Sequence, residues 1–202
     1  MKLPVLAAFA AVTLVLASCG STDTIESSAL PAPHNDADVS FAQDMIPHHQ
    51  QALLMSDMAL QAASTDELAA LAERIKDAQA PEIEQMTEWL ESWDETVPDL
   101  EALSHMMMGH GDGDDANDMP GMMDVGQMRR MNEMMVGGGL AFDQMWVRMM
   151  IEHHEGAIEM AQEQQANGEY PDAVALAESI EKSQTAEIAE MEQMLDDWAA
   201  QG

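Results

Sequence analysis

The chain has 202 residues, room for one ordinary domain and an export segment, and carries 38 acidic side chains against 7 basic ones, a formal net charge of −31. That balance excludes a nucleic-acid surface, which needs a basic footprint, and a polybasic grip on anionic lipid; metal cations and basic protein partners remain. The apolar mass is unusual in kind, with 21 Met against 3 Phe, 1 Tyr and 4 Trp. Methionine fills cores and is also a soft thioether ligand.

In chain order, Lys2 is followed by an apolar run over residues 3–16, too short to span a membrane as a mature helix, and then by Ala17, Ser18 and Cys19. Cys19 is the one cysteine, so no intramolecular disulfide or thiolate cluster can form. The string Leu16-Ala-Ser-Cys19 resembles the bacterial lipobox, which implies a signal peptide over residues 1–18, cleavage before Cys19 and lipidation of that residue. Residues 19–37, rich in Ser, Thr, Asp, Pro and Ala, read as a flexible tether.

From residue 38 the sequence is written twice at an offset of 105. Asp38, Met45, Ile46, His48, His49, Ala52 and Met55 recur as Asp143, Met150, Ile151, His153, His154, Ala157 and Met160. Farther on, Ile75, Gln79, Glu82, Ile83, Met86, Leu90 and Trp93 recur as Ile180, Gln184, Glu187, Ile188, Met191, Leu195 and Trp198. Each copy reads as two antiparallel helices. The seam of the first is Phe41, Met45, His48, Ala52, Met55 and Ala59; that of the second runs from Leu68 through Ile75, Gln79 and Glu82 to Trp93. Ser64 and Glu67 make a capping-box signature, and Pro81 predicts a kink where its twin is Ala186. In the second copy Asn167-Gly168 marks the turn and Pro171 the next helix start. The fold class is therefore all-α, a four-helix bundle of two hairpins, residues 38–98 and 137–202.

Residues 99–136 form a Met-, His- and Asp-rich linker. It holds His105, Met106, Met107, Met108 and His110, then Met119-Pro-Gly-Met-Met123, then a short helical run with Met128, Met131, Met134 and Met135, ended by three glycines.

Counting back and forward from the turns puts His48 level with Gln79 and Glu82, and His153 level with Gln184 and Glu187, because both helices rise equally per residue. A duplicated polar layer in an apolar core points to a use, since buried polar groups cost roughly 1–3 kcal/mol each unless satisfied. Two uses compete. Glu82 and Glu187 can satisfy purely structural histidines, or the imidazoles can bind metal, with Gln79, Glu82, Gln184 and Glu187 as supporting residues. The candidate bundle ligands are His48, His49, Met45, Met55, His153, His154, Met150 and Met160. The linker candidates are His105, Met106, Met107, Met108, His110, Met119, Met122 and Met123, which have no seam to fill. Thioether with imidazole favours copper, Cu(I) above all. On the ordinary imidazole pKa, the His-dependent copper is expected to weaken as pH falls through roughly 6, and the thioether-bound copper to persist.

Other chemistries lack their residues. No Glu stands three before any His, no His-Glu-x-x-His is present, and the acidic loop at Asp112 has Ala116 where a calcium loop needs a ligand. No catalytic constellation appears, so a binding protein is expected and an enzyme is not.

The strings Phe41-Ala-Gln-Asp-Met-Ile-Pro-His-His-Gln-Gln-Ala52, Phe142 to Ala157 with its Met-Ile-Glu-His-His core, and Met119-Pro-Gly-Met-Met123 resemble the domain-of-unknown-function 305 family over residues 38–198. The resemblance implies a ferritin-like bundle, export to the periplasm or cell surface, and copper binding linked to tolerance in some members. The reading is a lipid-anchored copper-binding protein that serves sequestration, transfer or tolerance, with a basic or copper-handling protein as partner. The alternative is an acidic envelope interaction module whose His layer is only structural.

Overall fold

Five helices organise residues 33–101 and 119–201, the part of the chain that the computed structural model describes. They are α1 (Asp36–Ala62), α2 (Asp66–Ser92), α3 (Val125–Met135), α4 (Gly139–Asn167) and α5 (Pro171–Ala200). Cys19, His105, Met106, Met107, Met108 and His110 lie outside the described residues. Among the described residues no helix is long and apolar enough to cross a membrane.

Local chemistry sets the helix ends. Asn35 caps α1 in a capping box with Asp38, and Asp124 caps α3 in another with Gln127. Helix α2 ends in a Schellman arrangement: Glu95 N–H donates to the Leu90 carbonyl, Asp94 N–H donates to the Glu91 carbonyl, and Asp94 takes a left-handed φ of 60°. Helix α4 ends at Asn167 with Gly168 as its cap, and Pro171 opens α5, both as the sequence predicts. The expected cap of α2 is displaced by one residue. Thr65, not Ser64, accepts from Leu68 N–H, because Ser64 is engaged elsewhere: its N–H and hydroxyl donate to Asp143. Helix α2 also runs on uninterrupted through Pro81, as α1 does through Pro47.

The two hairpins α1–α2 and α4–α5 pack into one bundle with α1 and α4 antiparallel. Trp146 of α4 donates its indole N–H to the Met55 carbonyl of α1 at 2.7 Å, and the His48 and His153 rings meet. Every position of the α1 seam from Phe41 to Ala59 is buried. The apolar interior falls into two clusters. One gathers Met55, Leu68, Leu71, Ile75, Phe142, Trp146, Met150 and Met191; the other gathers Phe41, Met45, Ile83, Met86, Leu90, Ala157 and Ile180. Between them lies the histidine layer.

The linker is not free of the core. Met123, Met128 and Met131 are 3%, 1% and 0% exposed and pack into the first cluster. Met123 was expected to be an unburdened linker ligand; it is instead a core side chain, because α3 lies against α1 and α4 and brings its own apolar stripe.

Candidate metal centre

His48, His49, His153 and His154 are all fully buried, two from each of the inner helices. Adjacent histidines point about 100° apart on a helix, so each pair splits its duties. His48 and His153 turn inward and meet across the pseudo-two-fold, ring centroids 3.8 Å apart and planes tilted by 37°. His49 and His154 turn toward the outer helix of their own hairpin. His49 Nε2 lies 2.7 Å from Glu82 Oε2, and His154 Nε2 lies 2.7 Å from Glu187 Oε2. Both carboxylates are 17% exposed, so the layer reaches solvent at its two outer edges. The depth arithmetic found the right layer and the wrong partner: the glutamates serve His49 and His154, not His48 and His153.

The acceptors fix where the hydrogens sit. A carboxylate or a carbonyl oxygen only accepts, so in the neutral ring Nε2 of His49 and of His154 carries the proton, and Nε2 of His48 does too, donating to the Pro120 carbonyl at 3.1 Å. That leaves three Nδ1 lone pairs buried with no hydrogen-bond partner, and neither ring nitrogen of His153 has one. Burial first, then the neighbouring His49 ring, pushes the His48 pKa down to about 3 against the Pro120 bond; burial, then the His48 ring, lowers His153 well below the usual imidazole value. Both rings are therefore neutral and able to ligate over the physiological range.

The thioethers separate by depth. Met45 and Met150 stand one turn before His48 and His153, in opposite apolar clusters that flank the layer, and both are buried. Met55 and Met160 lie seven residues past the same histidines, about 10 Å along the axis, too far to share one ion with them. Met55 is core, while Met160 lines a surface groove with Asp36, Asp44 and Glu163. Asp44 there is held above the usual carboxylate pKa by burial and by Glu163. Gln79 and Gln184 are buried near the layer, and Gln79 has no partner at either end. Among the described residues no three His, Asp or Glu side chains converge as a ready ligand set. Buried thioether beside buried imidazole is a soft donor mixture of the kind that suits Cu(I).

Sequence reasoning missed the residues that carry the central segment over the layer. Met122 N–H donates to the Met119 carbonyl at 3.2 Å, closing a turn with Pro120 and Gly121 at its centre and Gly121 at φ +71°, a conformation that favours glycine. This turn lies on the α4 backbone at Gly156, where any Cβ would overlap the Pro120 carbonyl. Gln51 of α1 holds the far side, accepting from Met123 N–H at 2.7 Å and donating to the Met123 carbonyl at 2.9 Å. Gln51 and Gly156 are equivalent positions in the 105-residue repeat, each one turn beyond an inward histidine. Their difference, next to the matched His-His and Ala positions of the two copies, was the available signal.

A family model described as a domain of unknown function, DUF305, matches residues 38–195. The chain belongs to this family. Among solved structures, a Streptomyces coelicolor DUF305 protein described as a candidate secreted protein is 28% identical, covering 80% of this chain and 93% of its own with a TM-score of 0.67. A DUF305 fragment from Deinococcus radiodurans is 25% identical over 83% of this chain and 99% of that one, with a TM-score of 0.67. CopM in its Cu(II)-bound form is 35% identical over 80% and 97%, with a TM-score of 0.62, and its Cu(I)-bound form is 33% identical with a TM-score of 0.60. No curated protein matches significantly.

Proposed function

We propose that this DUF305 protein is an extracytoplasmic lipoprotein that binds copper, Cu(I) in preference, for sequestration, transfer or tolerance, and that it is a binding protein, not an enzyme. The observation that carries this reading is the hydrogen-bond polarity of the layer. Metal-bound histidines typically donate the other ring N–H to a carboxylate or carbonyl, and His48, His49 and His154 do so while their Nδ1 atoms stay buried and unpartnered. A purely structural layer would have no reason to leave those lone pairs unpaired, given the cost of a buried unsatisfied acceptor. His48 and His153, with Met45 and Met150 on either side, would hold the ion; His49 and His154 with Glu82 and Glu187 would hold it alternatively or stage its entry. The copper-bound forms of CopM support the cargo, and the Streptomyces relative supports export. Met119 and Met122, with His105, Met106, Met107, Met108 and His110, would form a second, thioether-dominated site.

The test is Cu(I) competition titration of the wild type and a variant in which His48, His49, His153 and His154 are replaced by Ala, with helicity followed in parallel. Loss of one copper population from the folded variant is expected. Indistinguishable binding would return the layer to a structural role and favour the acidic envelope module, which would dock a basic partner and carry no metal.

A further inference from the structure

The segment 119–123 crosses both inner helices at the level of the paired His48 and His153, and its attachments are specific. From α4 it is received by Gly156, which stands one turn beyond His153 and has no space for a side chain. From α1 it is held by Gln51, one turn beyond His48, through two hydrogen bonds to one residue's backbone. Gly121, packed over the carbonyls of Glu152 and His153, is likewise without room for a Cβ. Between these clamps the Pro120 carbonyl points at His48 Nε2. Helix α1 by itself does not choose between the two neutral forms of the His48 ring. The Pro120 carbonyl does, because it can only accept.

We infer that the 119–123 strap is a positioning element for the His layer: by docking on Gln51 and Gly156 it places the Pro120 carbonyl against His48 and holds that ring as the Nε2–H form with Nδ1 free to bind. The inference rests on the copper reading for its consequence, but the positioning itself is a property of the apo protein. Gln51 and Gly156 are then positioning residues that need not touch the ion. The different residues at these equivalent repeat positions follow directly, since one strap cannot obey a two-fold axis and needs a donor–acceptor on one side and a gap on the other.

Two variants of the full chain test it from opposite sides. Gly156→Ala puts a methyl where the Pro120 carbonyl sits, and alanine is the better helix former, so α4 itself stays intact. Gln51→Ala removes both bonds to Met123. The first readout is the 15N signature of the His48 ring in the apo protein, which distinguishes Nε2–H from Nδ1–H. Wild type is expected to show the Nε2–H form alone, and both variants a mixture at unchanged helicity. The second readout is Cu(I) affinity of the His-dependent population, expected to fall by roughly 10–100-fold in both variants. A wild-type ring signature in Gly156→Ala and Gln51→Ala overturns the inference. So does an altered signature with undiminished affinity at the His layer. If wild type takes up no copper through its histidines, the proposed function fails while the apo ring signature still reports on the strap.

Discussion

Asp38 and Asp143 occupy equivalent places in the two repeats, and each accepts hydrogen bonds from the hairpin turn of the other. Asp38 receives the N–H groups of Glu169 and Tyr170 at 3.1 and 3.0 Å, and Asp143 receives Ser64 N–H at 3.0 Å and the Ser64 hydroxyl at 2.7 Å. Gly168 leaves room for the first of these, since a Cβ there would fall 2.2 Å from Gln164 Nε2 and 2.7 Å from Asp38 Oδ1. Both carboxylates are fully buried, so each turn is a charge-assisted tie between hairpins.

Asp143→Ala should therefore destabilise the bundle by about 3 kcal/mol, since bonds to a charged acceptor are lost and the Ser64 N–H is stranded. Asp38→Ala should cost a similar amount. The two sit at opposite ends of the bundle, so the double variant should be close to additive. Urea unfolding followed by circular dichroism measures this. A loss below about 0.5 kcal/mol for either single variant would show that the turn is held by packing alone.

The duplicated hairpin and the polar layer were legible because each depends on local period: seams at steps of three and four, and equal rise on paired helices. Which histidine meets the glutamate was not. His48 and His49 differ in depth by one residue, about 1.5 Å, yet differ in direction by about 100°, and depth arithmetic is blind to direction. The same limit moved the α2 cap from Ser64 to Thr65, since the tie to Asp143 is a contact between residues 79 apart. The strap was legible as the string Met119-Pro-Gly-Met-Met123, but its docking on Gln51 and Gly156 was not, because that depends on where a long connection returns.

The central methionines divide into packing and candidate ligand groups, and substitution separates them. Met131→Ala empties a fully buried site and should cost about 2–5 kcal/mol, whereas Met131→Leu, nearly equal in volume, should cost less than about 1.5. Copper binding should be the same in the Leu variant as in wild type. Met119→Leu with Met122→Leu should reverse the pattern, leaving thermal stability in place and weakening Cu(I) uptake. Equal copper binding in all variants would assign the whole stripe to packing.

Cys19 lies outside the described residues, and the anchoring proposal rests on the lipobox alone. Cys19→Ala should leave the precursor unprocessed or release the protein from the membrane fraction. Fractionation and electrophoretic mobility check this, and unchanged membrane association at unchanged mobility would count against lipidation.

On the proposed copper reading, acid should act on the histidine layer through the fold and not through titration of the rings. On the ordinary imidazole pKa near 6.5, copper would drain from the histidines around pH 6. Burial instead holds His48 at about 3 and His153 well below its usual value. For a base whose folded pKa is depressed, the unfolded chain binds the extra proton. Stability is thus complete above about 6.5 and falls as pH drops, by up to about 1.4 kcal/mol per pH unit for each such ring, until the folded value is reached. Within the folded state the rings remain neutral through this range and would keep their hold on a bound ion, which would further stabilise the fold by mass action. The expected result is cooperative: His-dependent copper leaves at the same pH at which helical signal is lost, and both midpoints move to lower pH as free Cu(I) rises. Thioether-bound copper, with no proton to compete, should remain after that transition. Parallel acid titrations read by circular dichroism and by a Cu(I) indicator distinguish the cases. Gradual release centred near pH 6 from a fully helical protein would mean that the layer is wet and that its histidines titrate as ordinary imidazoles.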